Sequence, residues 1–241
     1  MSPRKIQDWI ADLLFPFFCL VCGEEGQPLC LTCQKKTGLL TAQVCPACEK
    51  TTTNQGQLCE TCRKTDFPLD ALLVASDYQD PKISESVHLY KYNFVQALVP
   101  FLGKTLTKAL SKNDFPLPDF LVPVPLHPLR LRWRGFNQSE LLANFVSRNL
   151  APGIEIPVAT DWLIRQKKTA SQMKIGNAEK RKANLKDAFS LKSQAFSEGK
   201  NKNILLIDDI CTTGSTLIEC AKELKKTKPK KISALVIARQ K

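Results

Sequence analysis

Short apolar runs alternate with amphipathic stretches over the last three quarters of the chain. Four runs have the length and composition of buried strands, at 71–75, 120–125, 203–208 and 231–238. Between them, apolar residues recur at helical spacing over 83–111 (with a break near Tyr92 and Asn93), 139–149 and 215–226. Strands that alternate with helices form a parallel sheet joined by right-handed crossovers. The pattern therefore predicts an α/β fold, in which ligands bind beyond the carboxyl ends of the strands.

The first quarter of the chain has a different pattern, in which cysteine pairs replace the apolar periodicity. Eight of the ten cysteines form four C-x-x-C turns, which are Cys19/Cys22, Cys30/Cys33, Cys45/Cys48 and Cys59/Cys62. Such a turn places two thiolates on one side of a metal, and two turns complete a tetrahedron. Gly23 permits the tight backbone of a zinc knuckle. The spacing predicts two structural Zn²⁺ ions, because four thiolates leave no open coordination position.

The sequence alone does not determine which cysteine turns share a metal ion. The simplest pairing is sequential, with the first two turns on one zinc and the last two on a second, but an interleaved pairing satisfies the same spacing. Disulfides or a redox dithiol are alternatives, yet disulfides are rare in reducing compartments, and we expect no export signal. A segment of about 50 residues with few large apolar groups needs metal to fold, which favours zinc.

The N-terminal residues carry a charged and then apolar run that mimics a short signal peptide. Asp8 and Asp12 interrupt it, and no small-residue cleavage site follows. We therefore expect a docking helix over 1–18, a double zinc ribbon over 19–66 and the α/β domain over 67–241. No run reaches the ~18–20 apolar residues of a membrane span, so we expect a cytoplasmic protein.

Positive charge is concentrated at one end of the chain. The net charge is +12, and residues 161–241 supply +11 of it. A basic region of this size predicts an anionic partner, either a polyphosphate substrate or single-stranded nucleic acid. The alternative is a lysine-rich soluble surface with no dedicated partner.

The run at 203–208 leads into two carboxylates and then into a turn rich in hydroxyls and glycine. This order of groups suits a phosphorylated sugar. The strand end would hold Asp208 and Asp209 against ribose hydroxyls, and the turn offers backbone N–H groups, hydroxyls and a helix N-terminus to a phosphate. The residues of this turn are Thr212, Thr213, Gly214, Ser215 and Thr216.

Two further polar segments point to the same ligand class. After the run at 120–125 comes a predicted loop with three arginines, a glycine and two amides, which are Arg130, Arg132, Arg134, Gly135, Asn137 and Gln138. Arginine forks match phosphate oxygens, although the arginines could instead pair with surface acids. The stretch 165–184 is basic and poor in large apolar residues, so it predicts a mobile lid or a plain exposed linker.

Together these motifs resemble the competence protein ComF family (the ComFC/GntX-like group), which combines a double zinc ribbon with a type I phosphoribosyltransferase domain. The resemblance includes the Leu-Phe-Pro run before Cys19, the four cysteine pairs, Lys91, the segments 122–125 and 134–138, the T-x-x-Q element at 169–172, Arg181, Asn184, the Asp208 loop and the terminal Ala238-Arg239. The segment 174–177 departs from the turn more usual in the family.

The resemblance implies that the ligand is 5-phosphoribosyl-1-diphosphate (PRPP). Asp208 and Asp209 would hold the ribose 2- and 3-hydroxyls, directly or with Mg²⁺, and residues 212–216 would hold the 5-phosphate. The loop with Arg134, Gly135, Asn137 and Gln138 would face the pyrophosphate, and Arg181 would close over it. In an active enzyme, Asp208, Asp209 and Arg181 would be the catalytic residues.

Two functions follow from the resemblance. In the first, the protein binds PRPP and single-stranded DNA in natural competence, beside a helicase-like partner. In the second, it is an active phosphoribosyltransferase that transfers phosphoribosyl to a base or an amine in nucleotide metabolism. The residues show no obvious general base and no acceptor pocket, so whether the chain is an enzyme stays open. A third alternative is a retained fold that binds nucleotides only as a regulator.

Overall fold

A computed structural model describes residues 17–166 and 187–240 of the chain. The predicted docking helix over 1–18 therefore lies outside the described residues except for its last two positions. The predicted lid is described only at Arg165 and Gln166. Among the helices that are described, none is both long and apolar enough to cross a membrane.

The cysteine-rich segment forms short elements. In chain order they are α1 (Leu31–Lys35), β1 (Gln43–Val44), β2 (Thr52–Thr53), a 3-10 turn (Asn54–Gly56) and α2 (Glu60–Arg63). The strands β1 and β2 pair as an antiparallel ribbon.

The rest of the described chain alternates strands with helices. Its elements are β3 (Ala71–Asp77), α3 (Pro81–Tyr92), a 3-10 turn (Gln96–Leu98), α4 (Val99–Lys112), β4 (Phe120–Pro123), α5 (Pro128–Arg134), α6 (Gln138–Asn149), β5 (Leu163–Arg165), β6 (Phe189–Leu191), α7 (Ser193–Glu198), β7 (Asn203–Cys211), α8 (Ser215–Lys225) and β8 (Lys231–Arg239). The break predicted near Tyr92 separates α3 from α4.

A four-stranded parallel sheet forms the centre, in the order β3-β8-β7-β4. Alternate residues of each strand enter opposite apolar clusters. On one face, Leu205 and Ile207 pack with residues of α3, α4 and α6. On the other, Ile204 and Leu206 pack with α8 and with the antiparallel pair β5–β6. The predicted α/β fold is confirmed.

The strand β7 is longer than predicted, and the extension shapes the carboxyl edge of the sheet. Pairing with β4 ends at Pro123 opposite Ile207, but β8 continues to pair with β7 as far as Cys211 opposite Arg239. Asp208 and Asp209 therefore lie in the part of β7 that pairs with β8 but no longer with β4. The missing pairing leaves a crevice beside the two acids.

The predicted loop after β4 is wrong for residues 128–134, which form helix α5. Pro128 occupies its first turn, where a missing N–H has no cost. His127 precedes it, and the Nδ1 atom of His127 accepts a hydrogen bond from the Leu129 N–H at 3.2 Å. Gly135 ends the helix in the left-handed conformation at φ 78°. No residue of α5 is buried, so its sequence lacks the apolar periodicity from which a helix is predicted.

Candidate functional site

A cavity of about 790 Å³ opens at the carboxyl end of β7. Its walls come from the last turn of α3, from α5, from the start of α6 and from the turn before α8. The residues predicted to bind the ligand that line it are Asp208, Asp209, Thr212, Gly214, Ser215, Thr216, Arg134 and Gln138. The two predicted anion-binding segments therefore meet in one cavity, as expected from their place at the same sheet edge.

The two acids are held by neighbouring groups through one oxygen each. Asp208 Oδ1 accepts hydrogen bonds from the Ser139 hydroxyl and from the Asp209 N–H, both at 2.9 Å. Asp209 Oδ1 accepts from the Ile210 N–H at 2.6 Å and pairs with Lys91 Nζ at 2.9 Å. Among the described residues, nothing bonds the second oxygen of either acid, so each is available to a ligand.

Lys91 supplies the positive charge beside these acids. It lies in the last turn of α3, and its side chain is mostly buried against Asp209. Burial alone would lower the pKa of Lys91, but the charges of Asp209 and Asp208 outweigh it and raise that pKa. Lys91 is therefore a fixed cation in this site.

Asp208 is half-buried, and its carboxylate lies next to that of Asp209. Burial and then the charge of Asp209 raise the pKa of Asp208 to about 7, although Lys91 opposes the shift. Close carboxylates of this kind resist double ionisation. The acid pair can therefore gain or lose a proton near neutral pH.

The turn after β7 is shaped to surround an anion. Gly214 adopts φ 71° and forms the N-cap of α8, an eleven-residue helix. The hydroxyls of Thr213 and Ser215 lie 2.8 Å apart. Backbone N–H groups at such a helix start attract phosphate. A side chain at position 214 would strain the left-handed backbone, which explains the glycine.

Arginines form the opposite side of the cavity. Arg130 and Arg134 reach it from α5, and both are half-buried. Arg165 reaches it from β5, where the guanidinium lies 5.4 Å from the centre of the Phe189 ring and only 5% of the residue is exposed. Burial and the nearby charge of Arg130 lower the pKa of Arg165. An anionic ligand would relieve this repulsion.

Some of the residues predicted to bind the ligand lie outside the cavity or have another role. Asn137 caps α6, since its Oδ1 accepts from the Ser139 N–H and its Nδ2 donates to the Val124 carbonyl, both at 3.1 Å. Gly135 and Thr213 do not line the cavity. Gln138 does line it, and both polar atoms of its buried side chain lack a hydrogen-bond partner among the described residues. Arg181 lies outside the described residues, as do the elements at 169–172 and Asn184.

Lys91, Ser139 and Arg165 line the cavity but were not predicted as ligand-binding residues. Lys91 was noted only as part of the family resemblance, Ser139 was taken as the start of a helix, and Arg165 was assigned to the predicted lid. Lys91 is followed by a break between two helices, which is a weak signal. The other two give no local signal, because their place in the cavity depends on which strands and helices are neighbours.

The thiols of the N-terminal segment gather in two groups of four. They are Cys19, Cys22, Cys30, Cys33 and Cys45, Cys48, Cys59, Cys62, with all sulfurs of a group within 4.8 Å of one another. A zinc ion about 2.3 Å from four sulfurs spaces them about 3.8 Å apart. The structure has 3.6 Å between Cys22 and Cys30, and 3.9 Å between Cys48 and Cys59. The donor set therefore fits zinc, and the grouping is the sequential one.

Magnesium can be tested against the same structure. Mg²⁺ binds carboxylate oxygens together with water and phosphate oxygens. Asp208 and Asp209 each present one carboxylate oxygen to the cavity, as described above, and the phosphates would have to come from the ligand. The residues therefore fit a cation that arrives with a phosphorylated ligand rather than a resident one.

Known protein families match both parts of the chain. The profile of the Phosphoribosyl transferase domain family matches residues 137–241, and that of the Double zinc ribbon domain family matches residues 10–63. Among solved structures, purine phosphoribosyltransferase from Pyrococcus horikoshii Ot3 is 17% identical, covering 59% of this chain and 82% of its own with a TM-score of 0.32. The type I phosphoribosyltransferase assignment rests on the family profile and on the parallel sheet.

Whole-length relatives are found as well. Competence protein F of Haemophilus influenzae is 31% identical over 235 residues, covering 93% of this chain and 98% of the relative. The DNA utilization protein YhgH of Escherichia coli K12 is 32% identical over 222 residues, covering 88% and 92%. Competence protein ComFC of Bacillus subtilis is 28% identical over 231 residues, covering 90% and 86%.

Proposed function

The chain belongs to the competence protein F family, and on that premise we propose that its cavity binds PRPP and that the protein assists the uptake or processing of single-stranded DNA. The observation that carries the PRPP half is the meeting of three groups in one cavity. These are the acid pair Asp208 and Asp209, the turn at the start of α8, and the arginines of α5 and β5.

Each group suits one part of PRPP. The free carboxylate oxygens suit the ribose hydroxyls. The turn with Gly214 suits the 5-phosphate, because a phosphate at a helix start gains both N–H donors and the helix dipole. Arg130, Arg134 and Arg165 suit the pyrophosphate, and Mg²⁺ brought with it would offset the negative charges of the acids and the phosphates. Arg181 is proposed to complete this side.

The proposed role with single-stranded DNA rests on other observations. Relatives covering most of the chain are named competence and DNA utilization proteins. The net charge of +12 gives an anionic polymer an electrostatic reason to bind. A helicase-like protein is proposed as the partner that supplies or accepts the strand.

A calorimetric titration with PRPP and Mg²⁺ tests the ligand. We expect Asp208→Asn combined with Asp209→Asn to weaken binding at least about 100-fold, since each lost charge-assisted hydrogen bond contributes roughly 1.5–3 kcal/mol. Asp114→Asn with Asp161→Asn removes two exposed acids outside the cavity lining and is the matched control. Binding of PRPP by the Asp208/Asp209 variant with the affinity of the wild type would contradict the site.

The second candidate function is phosphoribosyl transfer to a base or an amine. The pKa of Asp208 near 7 favours it, because such a carboxylate can take the proton of an acceptor nitrogen. The bond from ribose C1 to pyrophosphate would break as the bond to nitrogen forms, with oxocarbenium character at C1 stabilised by the site. Release of pyrophosphate from PRPP only when a particular base, amine or oligonucleotide is added would make this the primary function.

A further inference from the structure

Helix α5 presents both large apolar and basic side chains to solvent. Leu129, Leu131 and Trp133 are exposed, and they alternate with arginines at 130, 132 and 134. Trp133 is 67% exposed, the highest value among the exposed large hydrophobic side chains in the described part of the chain. Leu129, Leu131 and Trp133 are exposed on one short helix, and exposed apolar side chains that cluster in this way mark interaction surfaces more often than scattered ones do.

The indole of Trp133 is anchored by a series of aromatic contacts. Its ring meets Phe94 edge to face, with centroids 5.0 Å apart at 85°. Phe94 in turn meets Phe136 at 6.3 Å and 88°, and Phe136 lies 6.1 Å from the buried Tyr90. The Tyr90 hydroxyl donates to the Gln138 carbonyl at 2.8 Å. Trp133 is therefore held in place although most of it faces solvent.

This indole also borders the cavity described above. Trp133 lines it together with His88 and Tyr92, whose rings are 4.9 Å apart, and with Arg130 and Arg134. Aromatic planes and arginine forks thus share one edge of the cavity. A ligand that matches both has flat rings and phosphates in succession, which is the chemistry of a nucleotide chain.

We propose that α5 is a binding site for single-stranded nucleic acid at the mouth of this cavity, with a base stacked on Trp133 and a backbone phosphate on Arg132. The proposal rests on the proposed function, because it locates the DNA that the proposed function only assumes. Base stacking on aromatic residues within a basic groove is how single strands bind without sequence preference.

The arrangement of apolar residues around α5 favours a nucleic acid over an anionic membrane. A helix that lies in a membrane surface segregates its apolar residues on one face. In α5, Leu129 and Trp133 are four positions apart and lie on the same side of the helix, whereas Leu131 points about 200° away from Leu129. The three apolar residues therefore do not form one face, and the arginines lie between them around the helix.

Fluorescence anisotropy with a labelled oligothymidylate of about 15 nucleotides tests the stacking. We expect Trp133→Ala to weaken binding about 10-fold or more, and Trp133→Phe to retain most of it, because phenylalanine also stacks. Phe196→Ala is the matched control, since Phe196 is an exposed aromatic of α7 that does not line the cavity. Equal binding by the Trp133→Ala and Phe196→Ala variants would overturn the proposal.

The phosphate contact has its own measurement. Arg132→Gln should lower the slope of log affinity against log salt by about 0.7, the value for one phosphate of a single strand. Arg148→Gln on α6, where an exposed arginine pairs with Glu155, should leave the slope unchanged. An unchanged slope in the Arg132 variant would contradict the assigned contact.

Two more arms identify the occupant and separate this proposal from the PRPP site. The proposal would be overturned if thymidine monophosphate bound as tightly as the oligonucleotide. It would also be overturned if anionic vesicles bound the protein and the oligonucleotide did not. The Arg132→Gln variant should still bind PRPP, because Arg132 does not line the cavity. If the wild type binds no PRPP while Trp133→Ala still loses the oligonucleotide, the PRPP assignment alone fails.

Discussion

At the scale of single residues, the chemistry of the site depends on one lysine and two acids. Lys91 pairs with Asp209 at 2.9 Å and lowers the pKa of Asp208 against the larger effects of burial and of the Asp209 charge. The positive charge of Lys91 thus reduces the electrostatic repulsion between the two adjacent carboxylates. The proton that remains on Asp208 near neutral pH is a consequence of this balance.

The pH dependence of PRPP binding should reflect that proton. Below pH 7 Asp208 is largely protonated, so binding with Mg²⁺ must first release the proton. The affinity should therefore rise as the pH increases to about 7 and then level off. Lys91→Met removes the charge that opposes the shift, so its midpoint should lie above 7. Calorimetric titrations on either side of pH 7 measure both midpoints.

Two variants serve as controls for this prediction. Asp208→Asn should flatten the dependence, because it removes the titrating group. Lys104→Met changes an exposed lysine of α4 that does not line the cavity, and it should keep the wild-type midpoint. A Lys91→Met midpoint at or below that of the wild type would contradict the assigned electrostatics.

At the scale of elements, the outer strand of the sheet is closed by the zinc ribbon. Among the described strands of the sheet, β3 has β8 as its one neighbour. On its other side Gln43 of β1 replaces a strand, since its Nε2 donates to the Val74 carbonyl at 2.9 Å and its Oε1 accepts from the Val74 N–H at 3.0 Å. The Leu40 N–H also donates to the Ala75 carbonyl. An exposed strand edge would otherwise favour aggregation.

Removing this side-chain bridge should cost stability. Gln43 is 3% exposed, so Gln43→Met leaves two buried backbone groups of Val74 without partners. Each unsatisfied group costs roughly 1–3 kcal/mol, and we expect a loss of about 2–4 kcal/mol in the free energy of unfolding. Denaturant titration followed by circular dichroism measures it. Gln79→Met, at an exposed glutamine, should change stability by less than about 0.5 kcal/mol; a similar result for both variants would refute the role of Gln43.

At the scale of the whole molecule, the zinc ribbon and the sheet share one apolar cluster. Cys19, Leu29, Cys30 and Cys33 pack with the face of the sheet that carries α3, α4 and α6. Glu49, next to Cys48, forms an ion pair with Arg239 at the end of β8, and Arg239 lies opposite Cys211 beside the Asp208 loop. The metal sites therefore support the edge and one end of the sheet that holds the cavity.

Zinc removal should consequently affect more than the ribbon. We expect two zinc ions per chain by metal analysis, one fewer in Cys22→Ser, one fewer in Cys48→Ser, and two in Cys220→Ala, a buried cysteine outside both groups. A chelator should cause aggregation, visible as light scattering, because the edge of β3 loses its cover. A zinc-free chain that stays monomeric and binds PRPP normally would contradict this coupling.

Features that depend on local sequence patterns were predicted from the sequence, and features that depend on contacts between distant residues were not. The buried strands of the sheet and the four cysteine pairs were recognised, because short apolar runs and C-x-x-C turns are local patterns. Helix α5 was predicted as a loop, since it buries nothing. The extension of β7 to Cys211 was also not expected, because only β8 stabilises it.

The sequence by itself determined which groups face the proposed ligand, since the acids, the glycine and the hydroxyls of 208–216 are close together in the chain. It likewise determined the metal, because thiolate number and spacing select zinc. Only the tertiary structure decided the cation beside the acids, the pairing of the cysteine turns and the aromatic edge with Trp133. Those groups are distant in the chain, and they meet because strands in the order β3-β8-β7-β4 and the helices packed on them bring their ends to one place.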